Sequence, residues 1–286
     1  MGTDVLPAHW PCDREYGMTY DDRMTLLARI GFAARGLVYI LIGWFALDVA
    51  VNGGQLKDNQ GALGTLASAP LGHVLLAICA IGFVGYAIWR LTEGITDPEN
   101  RSRDIKGRFA RAGYAVSGIT HLALATAAAR LALRQTPAQG GSPGDESAQS
   151  WSAWLLAQPG GTLMLIMVGI GFFAVAAAQA VKAYKARFDE LDAQVPAPRY
   201  VRWVGRCGYA ARALIFAIIG WFLIMAATNH DADRAGGLGE ALQQLRSQSE
   251  GAAILGIVAF GLALFGMFSL IEARYRRIRV KKPGFL

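Results

Sequence analysis

The sequence has few charged residues and few cysteines. Only 17% of its 286 residues are charged, whereas soluble globular domains carry about 25%. The 3 cysteines stand apart at Cys12, Cys79 and Cys207 and form neither a Cys-x-x-Cys motif nor an even set. The composition therefore disfavours a soluble domain, and the cysteine spacing argues against a disulfide framework or a structural zinc site.

The common catalytic and ligand-binding motifs are also missing. The chain has no GxxxxGK[ST] phosphate loop, no GxGxxG after a strand and no HExxH. It has no GxSxG nucleophile elbow, and its 4 histidines show no spacing typical of metal ligands. We therefore expect a protein that is not an enzyme and that uses no cofactor or metal ion.

Apolar residues are abundant instead. They make up 53% of the chain, and the mean hydropathy is +0.31. About 20 mostly apolar residues cross the roughly 30 Å of hydrocarbon in a bilayer. The sequence thus predicts an all-α membrane protein with six transmembrane helices, at 31–51, 73–92, 112–133, 161–182, 208–228 and 252–272.

The basic residues predict the orientation in the membrane. Most of the 28 Lys and Arg residues lie in the N-terminal segment, in alternate loops and in the C-terminal tail; the exceptions are Lys57, Arg130, Arg134, Arg234 and Arg246. Because Lys and Arg favour cytoplasmic loops, we expect both termini in the cytoplasm. Anionic lipid headgroups are then the natural partner of the basic face, and the net charge of +7 requires no nucleic acid.

The chain repeats itself three times. Residues 29–45 (RIGFAARGLVYILIGWF), 111–127 (RAGYAVSGITHLALATA) and 206–222 (RCGYAARALIFAIIGWF) share an opening pattern of Arg-x-Gly-aromatic-Ala. The returning helices align as well, with pairs of glycines ten residues apart. We expect three tandem helical hairpins with approximate threefold symmetry.

This repeat predicts the division of the chain. A polar segment comes first, three hairpin repeats follow, each with a short amphipathic segment in its outer loop, and a basic tail ends the chain. The predicted bounds are 1–24, 25–97, 98–190, 191–277 and 278–286.

The repeated opening, together with the stretch Gly82, Phe83, Tyr86, Trp89 and Arg90 in the first returning helix, resembles the bacterial integral-membrane family catalogued as domain of unknown function 1206. The resemblance covers residues 25 to 277 and is weakest in the middle copy. It implies three two-helix copies and a place in the bacterial inner membrane. It implies no activity.

Four charged residues recur at equivalent positions. Arg35 and Arg212 lie about one turn inside the first helices, and Glu93 and Glu272 lie in the returning helices. In the middle copy the arginine and the acid are both absent. We therefore predict that Arg35 pairs with Glu93 and Arg212 with Glu272, each pair clamping its own hairpin, with snorkelling to the interface as the alternative.

Three further residues are candidates for lining a path through the bundle. Asp48 and Arg130 occupy equivalent outer positions, where they either meet across the axis or stay separately solvated. His121 lies deep in an apolar segment. It is either a proton-relay group, since histidine ionises near physiological pH, or a hydrogen-bonded interior side chain.

Two classes of function fit these features. The first is a structural or interaction protein of the inner membrane, with a protein partner or a homo-oligomer left open. The alternative is a small-molecule or ion transporter or channel with a path along the axis of the repeats, where transporters place their sites. The two differ in whether the interior holds water.

Overall fold

The computed structural model describes most of the chain and nearly all of its apolar part. Predicted features outside the described residues include the basic tail 278–286 and most of the polar N-terminal segment. The described residues are 20–53, 59–67, 70–96, 105–133, 143–186, 191 and 198–277.

Six long helices form the molecule, and each is apolar and long enough to cross a bilayer. Several extend beyond the apolar stretch that predicts them, because the flanking polar residues continue the same helix. In chain order they are α1 (Tyr20–Asn52), α3 (Gly72–Thr96), α4 (Ile105–Ala132), α6 (Gly161–Lys185), α7 (Pro198–Asn229) and α9 (Gly251–Tyr275). Among the described residues there is no strand, only one isolated bridge between Leu191 and Arg276. The predicted all-α class with six membrane-capable helices is confirmed.

Three short helices join the long ones at one end of the bundle, which we call the covered end. They are α2 (Asn59–Ala67), α5 (Pro143–Leu156) and α8 (Leu238–Arg246). A glycine begins each returning helix, a short turn after the short helix ends. A Cβ atom on any of these glycines would collide with a backbone carbonyl oxygen at the end of the short helix, so the chain turns where only glycine fits; the three are Gly72, Gly161 and Gly251.

The opposite end, which we call the basic end, holds the start of α1 and the end of α9. The helices pack in the order α3, α1, α9, α7, with α4 outside α3 and α6 outside α7. In the first and third repeats the two long helices pack against each other. In the middle repeat α4 and α6 do not pack together along their length, so the ring of six helices is open at this place.

Among the described residues, the largest apolar cluster of the core contains side chains from all six long helices and from α2 and α8, and two smaller clusters lie between α6, α7 and α9 and between α1 and α3. The leucines of the short helices contribute to the largest cluster: Leu63 and Leu242 are fully buried, and Leu66 and Leu245 are nearly so. The short segments therefore turn their apolar side towards the bundle. The tryptophans of α5, Trp151 and Trp154, point outwards instead and are mostly exposed.

The N-terminus of α8 is capped from another helix. Asp145 of α5 accepts hydrogen bonds from the backbone N–H groups of Gly237 (2.6 Å) and Glu240 (3.0 Å). The N-cap residue of α8 itself is Gly237, which has no side chain to cap the helix. A carboxylate is favourable at this end of a helix.

Replacement of Asp145 by alanine is therefore expected to lower the free energy of unfolding by about 1 kcal/mol, the usual effect of losing a cap. Thermal unfolding in detergent measures it, with the exposed Glu146 replaced by alanine as the control. Equal effects of the two substitutions would show that the cap contributes nothing specific.

Candidate functional site

A cluster of buried polar side chains lies between α1, α3 and α9 towards the basic end. We call it the Arg35 cluster, and its members are Arg35, Tyr86, Ser269, Glu272 and Arg276. The guanidinium of Arg35 donates to the Glu272 carboxylate (2.5 Å), the Ser269 hydroxyl (3.1 Å) and the Tyr86 hydroxyl (2.8 Å). Arg276 donates to the second carboxylate oxygen of Glu272 at 2.6 Å. Each member is less than a tenth exposed.

The helical repeat explains how these residues meet. Ser269 and Glu272 are three residues apart and share one face of α9, and Arg276 follows the last residue of that helix. That face packs against α1, which carries Arg35, and Tyr86 reaches the same guanidinium from α3. Three helices from two different repeats are thereby joined through one side chain.

Aromatic rings surround the charges. The Arg35 guanidinium lies 4.8 Å from the ring centre of Phe32 and 5.2 Å from that of Phe265. Arg276 lies 5.0 Å from Phe32 and 5.2 Å from Trp89. Cation–π attraction adds to the ion pairs here, and the rings keep water away from them.

A second ion pair adjoins the Arg35 cluster. Arg90 donates to Glu93 at 2.7 Å and to the Tyr86 hydroxyl at 3.0 Å, so Tyr86 accepts from two arginines. Arg90 also lies over the ring of Tyr114 on α4, at 5.0 Å. The pair therefore lies at the contact between α3 and α4.

The structure does not bring together the pairs predicted within each hairpin. Arg35 pairs with Glu272, from a different repeat, and Glu93 pairs with Arg90 on its own helix. The physical reason is the ring arrangement, in which α1 lies between α9 and α3 and can reach either helix.

Arg212 lies away from both acids. Its guanidinium is 4.3 Å from the ring centre of Phe265, 4.9 Å from Phe216 and 5.4 Å from Tyr39. Its Nε atom is buried and has no hydrogen-bond partner. The predicted pair with Glu272 is thus replaced by contacts with aromatic faces.

His121 packs at the contact between α3 and α4. Its ring centre is 4.4 Å from that of Tyr86 and 5.9 Å from that of Phe83. Nδ1 lies 2.7 Å from the backbone carbonyl oxygen of Ser117. Because a carbonyl oxygen only accepts, Nδ1 carries the proton and donates it. This geometry fits the interior, hydrogen-bonded alternative for His121.

Asp48 and Arg130 are both exposed. Asp48 accepts a hydrogen bond from Asn52 at 2.8 Å, and in the described part of the chain no ion pair joins it to Arg130. Their arrangement is that of separately solvated charges at helix ends.

The arginine that opens the repeat motif binds the end of the preceding long helix. Arg111 donates to the carbonyl oxygens of Gly94 (2.7 Å) and Ile95 (2.9 Å), and Arg206 donates to those of Ala183 (3.1 Å) and Tyr184 (2.9 Å). A cation is favourable at a helix C-terminus, where carbonyl groups lack partners. The motif arginine therefore links one repeat to the next.

The motif glycine shows how the middle repeat differs. A Cβ atom on Gly208 would lie 2.6 Å from the Cα atom of Phe265, and one on Gly31 would collide with Tyr86. At Gly113 in the middle repeat it would meet nothing within 4 Å. The same difference holds on the returning helix, where Gly82 and Gly261 are tightly packed and Gly171 is open. Four glycines thus lie at close helix contacts, while their two middle-repeat equivalents face open space.

Chemically, the described residues provide ion pairs, hydrogen bonds and aromatic contacts. Within the part of the chain that the structure describes, no three His, Cys, Asp or Glu side chains lie close enough to hold a metal ion.

Comparison with known proteins now identifies the family. The family model described as Domain of Unknown Function (DUF1206) matches residues 30–97, 112–186 and 207–276. The chain belongs to this family. A curated relative, "Uncharacterized protein YxxB" of Bacillus subtilis (strain 168), is 36% identical over 258 residues, which is 89% of this chain and 92% of the relative. No solved structure matches the chain.

The three matched segments of the DUF1206 family coincide with the repeats, so equivalent positions can be compared across three contacts between consecutive repeats. At α9 and α1, Glu272 meets Arg35. At α3 and α4, Glu93 pairs with Arg90 of its own helix, and Ser117 stands at the position equivalent to Arg35. At α6 and α7, Lys182 stands where the other two contacts have an acid, and Arg212 stands at the position equivalent to Arg35.

Four residues that take part in these polar contacts could not be identified from the sequence. Tyr86 and Arg90 belong to the motif that carries the family resemblance, but nothing in the motif says that they bind Arg35 and Glu93. Ser269 and Arg276 have no counterpart in the other copies, since their equivalent positions hold Arg90 and Gln179, or Asp97 and Ala186. The only sequence signal for Ser269 and Arg276 is their spacing of three and four residues from Glu272.

Proposed function

We propose that this chain is a non-enzymatic integral membrane protein with a structural or interaction role, inserted in the bacterial inner membrane with both termini in the cytoplasm. The observation that carries the proposal is the largest apolar cluster of the core, which is drawn from all six long helices. A packed core of this kind leaves the interior dry and makes the bundle a rigid scaffold.

The middle of the bundle supports this proposal. Ile42, Leu124 and Ile219 are equivalent positions in the three repeats, and all three are buried. Ile42 precedes the end of α1 at Asn52 by about 15 Å of helix, at about 1.5 Å per residue. This is half the thickness of a typical hydrocarbon layer. Aliphatic side chains therefore fill the level at which a transporter holds its substrate.

The distribution of Lys and Arg supports the orientation, and it supports contact of the basic end with anionic headgroups. A protein partner or a second copy of the chain would then use the long helices that are least buried. These are α4, α6 and α7. At most 28% of the apolar stretch of each of these helices is buried inside the bundle, against 50% for α1, α3 and α9.

Cysteine accessibility tests the proposal. In a variant without Cys12, Cys79 and Cys207, single cysteines replace Ile42, Leu124 or Ile219. We expect no labelling of these three by a membrane-impermeant thiol reagent, because water does not reach a packed core.

Two exposed positions serve as controls for this experiment and report the orientation. A cysteine in place of Ser249, at the covered end, is expected to label in intact spheroplasts. One in place of Lys185, at the basic end, is expected to label only after permeabilisation. The reverse pattern would contradict the orientation, and labelling at the three core positions would contradict the dry bundle.

A small-molecule or ion transporter is the second candidate, and one observation favours it. Arg212 carries its charge within the transmembrane part of α7 without an ion pair to any described residue, and charged groups in membrane spans often mark a transport path. Labelling of Ile219→Cys together with Leu124→Cys would favour this candidate and lead directly to flux assays.

A further inference from the structure

The middle repeat carries both sides of a helix contact that it does not form. In the first and third repeats the first helix packs against its own returning helix, and glycines on both helices allow the close approach. In the third repeat Gly208 of α7 meets Phe265, and Gly261 of α9 meets Ala211. We call the four equivalent residues of the middle repeat the open contact; they are Gly113 and Val116 on α4, and Gly171 and Val175 on α6.

The residues of the open contact are exposed, whereas their equivalents in the third repeat are buried. Val175 is 40% exposed, and Phe265 at the same position of α9 is fully buried. Val116 is 63% exposed, and its counterpart Ala211 is buried. No described atom lies within 4 Å of a Cβ atom placed on either glycine of the open contact. Both sides of the contact are therefore present in the chain without touching each other.

The fold holds these two sides apart. α4 packs against α3, and α6 packs against α7, so the two helices belong to opposite ends of the row of helices. The short helix between them, α5, is fixed to the third repeat because Asp145 accepts hydrogen bonds from Gly237 and Glu240. Within one chain α4 and α6 are thus kept from closing on each other.

Glycine surfaces on a membrane span suit contact with another helix better than contact with lipid. Lipid tails are as apolar as side chains, so helices associate in a bilayer through close packing, which small residues allow. A glycine inside a helix costs up to about 1 kcal/mol relative to alanine. This cost is offset where a second helix approaches, as at the equivalent glycines of the first and third repeats. The open contact therefore calls for a helix as its partner.

We propose that the open contact is the interface of a homodimer, in which α4 of one copy packs against α6 of the other. Each copy carries both sides, so a twofold axis along the membrane normal forms the contact twice. α4 and α6 cross the membrane in opposite directions, so α4 meets the second copy's α6 antiparallel, as α7 meets α9 within the third repeat. This inference rests on the proposed interaction role and names a second copy of the chain as the partner.

Cross-linking between two differently tagged chains tests the dimer in the membrane. In the variant without native cysteines, one chain carries Val116→Cys, the other carries Val175→Cys, and the two are expressed together. A short bifunctional thiol reagent is expected to join the two different chains. The control pair is Ile81→Cys with Ile257→Cys, which are exposed on α3 and α9, and it is expected to give no joined product.

Bulky substitutions at the open contact provide a second measurement. Gly113→Leu and Gly171→Leu fill the surface that the second copy would approach, and each is expected to weaken association about tenfold or more. Sedimentation equilibrium in detergent measures the association constant. The control Ala77→Leu makes a similar enlargement at an exposed position of α3 and is expected to leave it unchanged. Thermal unfolding in dilute micelles, where single chains predominate, verifies that each variant folds.

Two results would overturn the dimer. The first is a yield of joined Val116→Cys and Val175→Cys chains no greater than that of the control pair, which would leave α4 and α6 facing lipid. The second comes from a single chain that carries both cysteines. If it forms the cross-link only within itself, α4 closes on its own α6. Neither result alters the labelling of the core positions, so failure of the dimer is distinguishable from failure of the proposed dry scaffold.

Discussion

Replacement of Glu272 by glutamine is expected to lower the free energy of unfolding by about 3–5 kcal/mol, as is usual when a buried ion pair loses one partner. The carboxylate is 2% exposed and binds Arg35 and Arg276 at 2.5 and 2.6 Å. Glutamine keeps the size of the side chain but leaves two buried guanidinium groups without their negative charge. The loss is measured by equilibrium unfolding in mixed detergent micelles.

A matched control separates burial from charge. Asp231→Asn breaks the ion pair between Asp231 and Arg234, whose side chains are 43% and 52% exposed, respectively. Such pairs contribute about 0–1 kcal/mol, so this variant is expected to unfold close to the parent. A loss for Glu272→Gln no larger than that for Asp231→Asn would show that the Arg35 cluster does not hold the helices together.

The partner of Arg35 can be established with double variants. Arg35→Met combined with Glu272→Gln is expected to cost clearly less than the sum of the two single changes, because each removes the same contact. Arg35→Met combined with Glu93→Gln is expected to be closer to additive, since Arg35 reaches Glu93 through Tyr86 and Arg90 rather than directly. The opposite ranking would restore the pairing within the first hairpin.

The six spans and the three repeats can be predicted from the sequence because they depend on local properties. A stretch of about 20 apolar residues is long enough to cross a bilayer whatever surrounds it. The repeated Arg-x-Gly-aromatic pattern identifies equivalent positions directly. Neither prediction requires knowledge of which helices are neighbours.

Pairing could not be predicted because equivalence between repeats does not reveal adjacency. Arg35 and Glu93 occur in one repeat, as do Arg212 and Glu272, and three copies offer too few comparisons to choose partners. The ring closes between α9 and α1, so the true partner of Arg35 is 237 residues away. The opening between α4 and α6 is equally hidden, since Gly113 and Gly171 match their equivalents in the tightly packed repeats.

Alanine in place of these glycines is expected to have opposite effects in different repeats. At Gly208 the new Cβ atom would lie 2.6 Å from the Cα atom of Phe265, which forces α7 and α9 apart and costs about 1–3 kcal/mol. At Gly113 the Cβ atom meets nothing within 4 Å. There alanine is expected to stabilise by up to about 1 kcal/mol, because it favours the helix over glycine.

The returning helices provide a second matched pair. At Gly261 a Cβ atom would lie 2.6 Å from that of Ala211, and at Gly171 it would meet nothing within 4 Å. Gly261→Ala is therefore expected to lower the unfolding temperature, and Gly171→Ala to leave it unchanged or raise it. All four variants make the same chemical change inside a helix, so helix propensity alone predicts the same sign for each. Destabilisation by Gly113→Ala and Gly171→Ala as large as that by their partners would mean that α4 and α6 close against each other in the membrane, which would complete the ring of six helices.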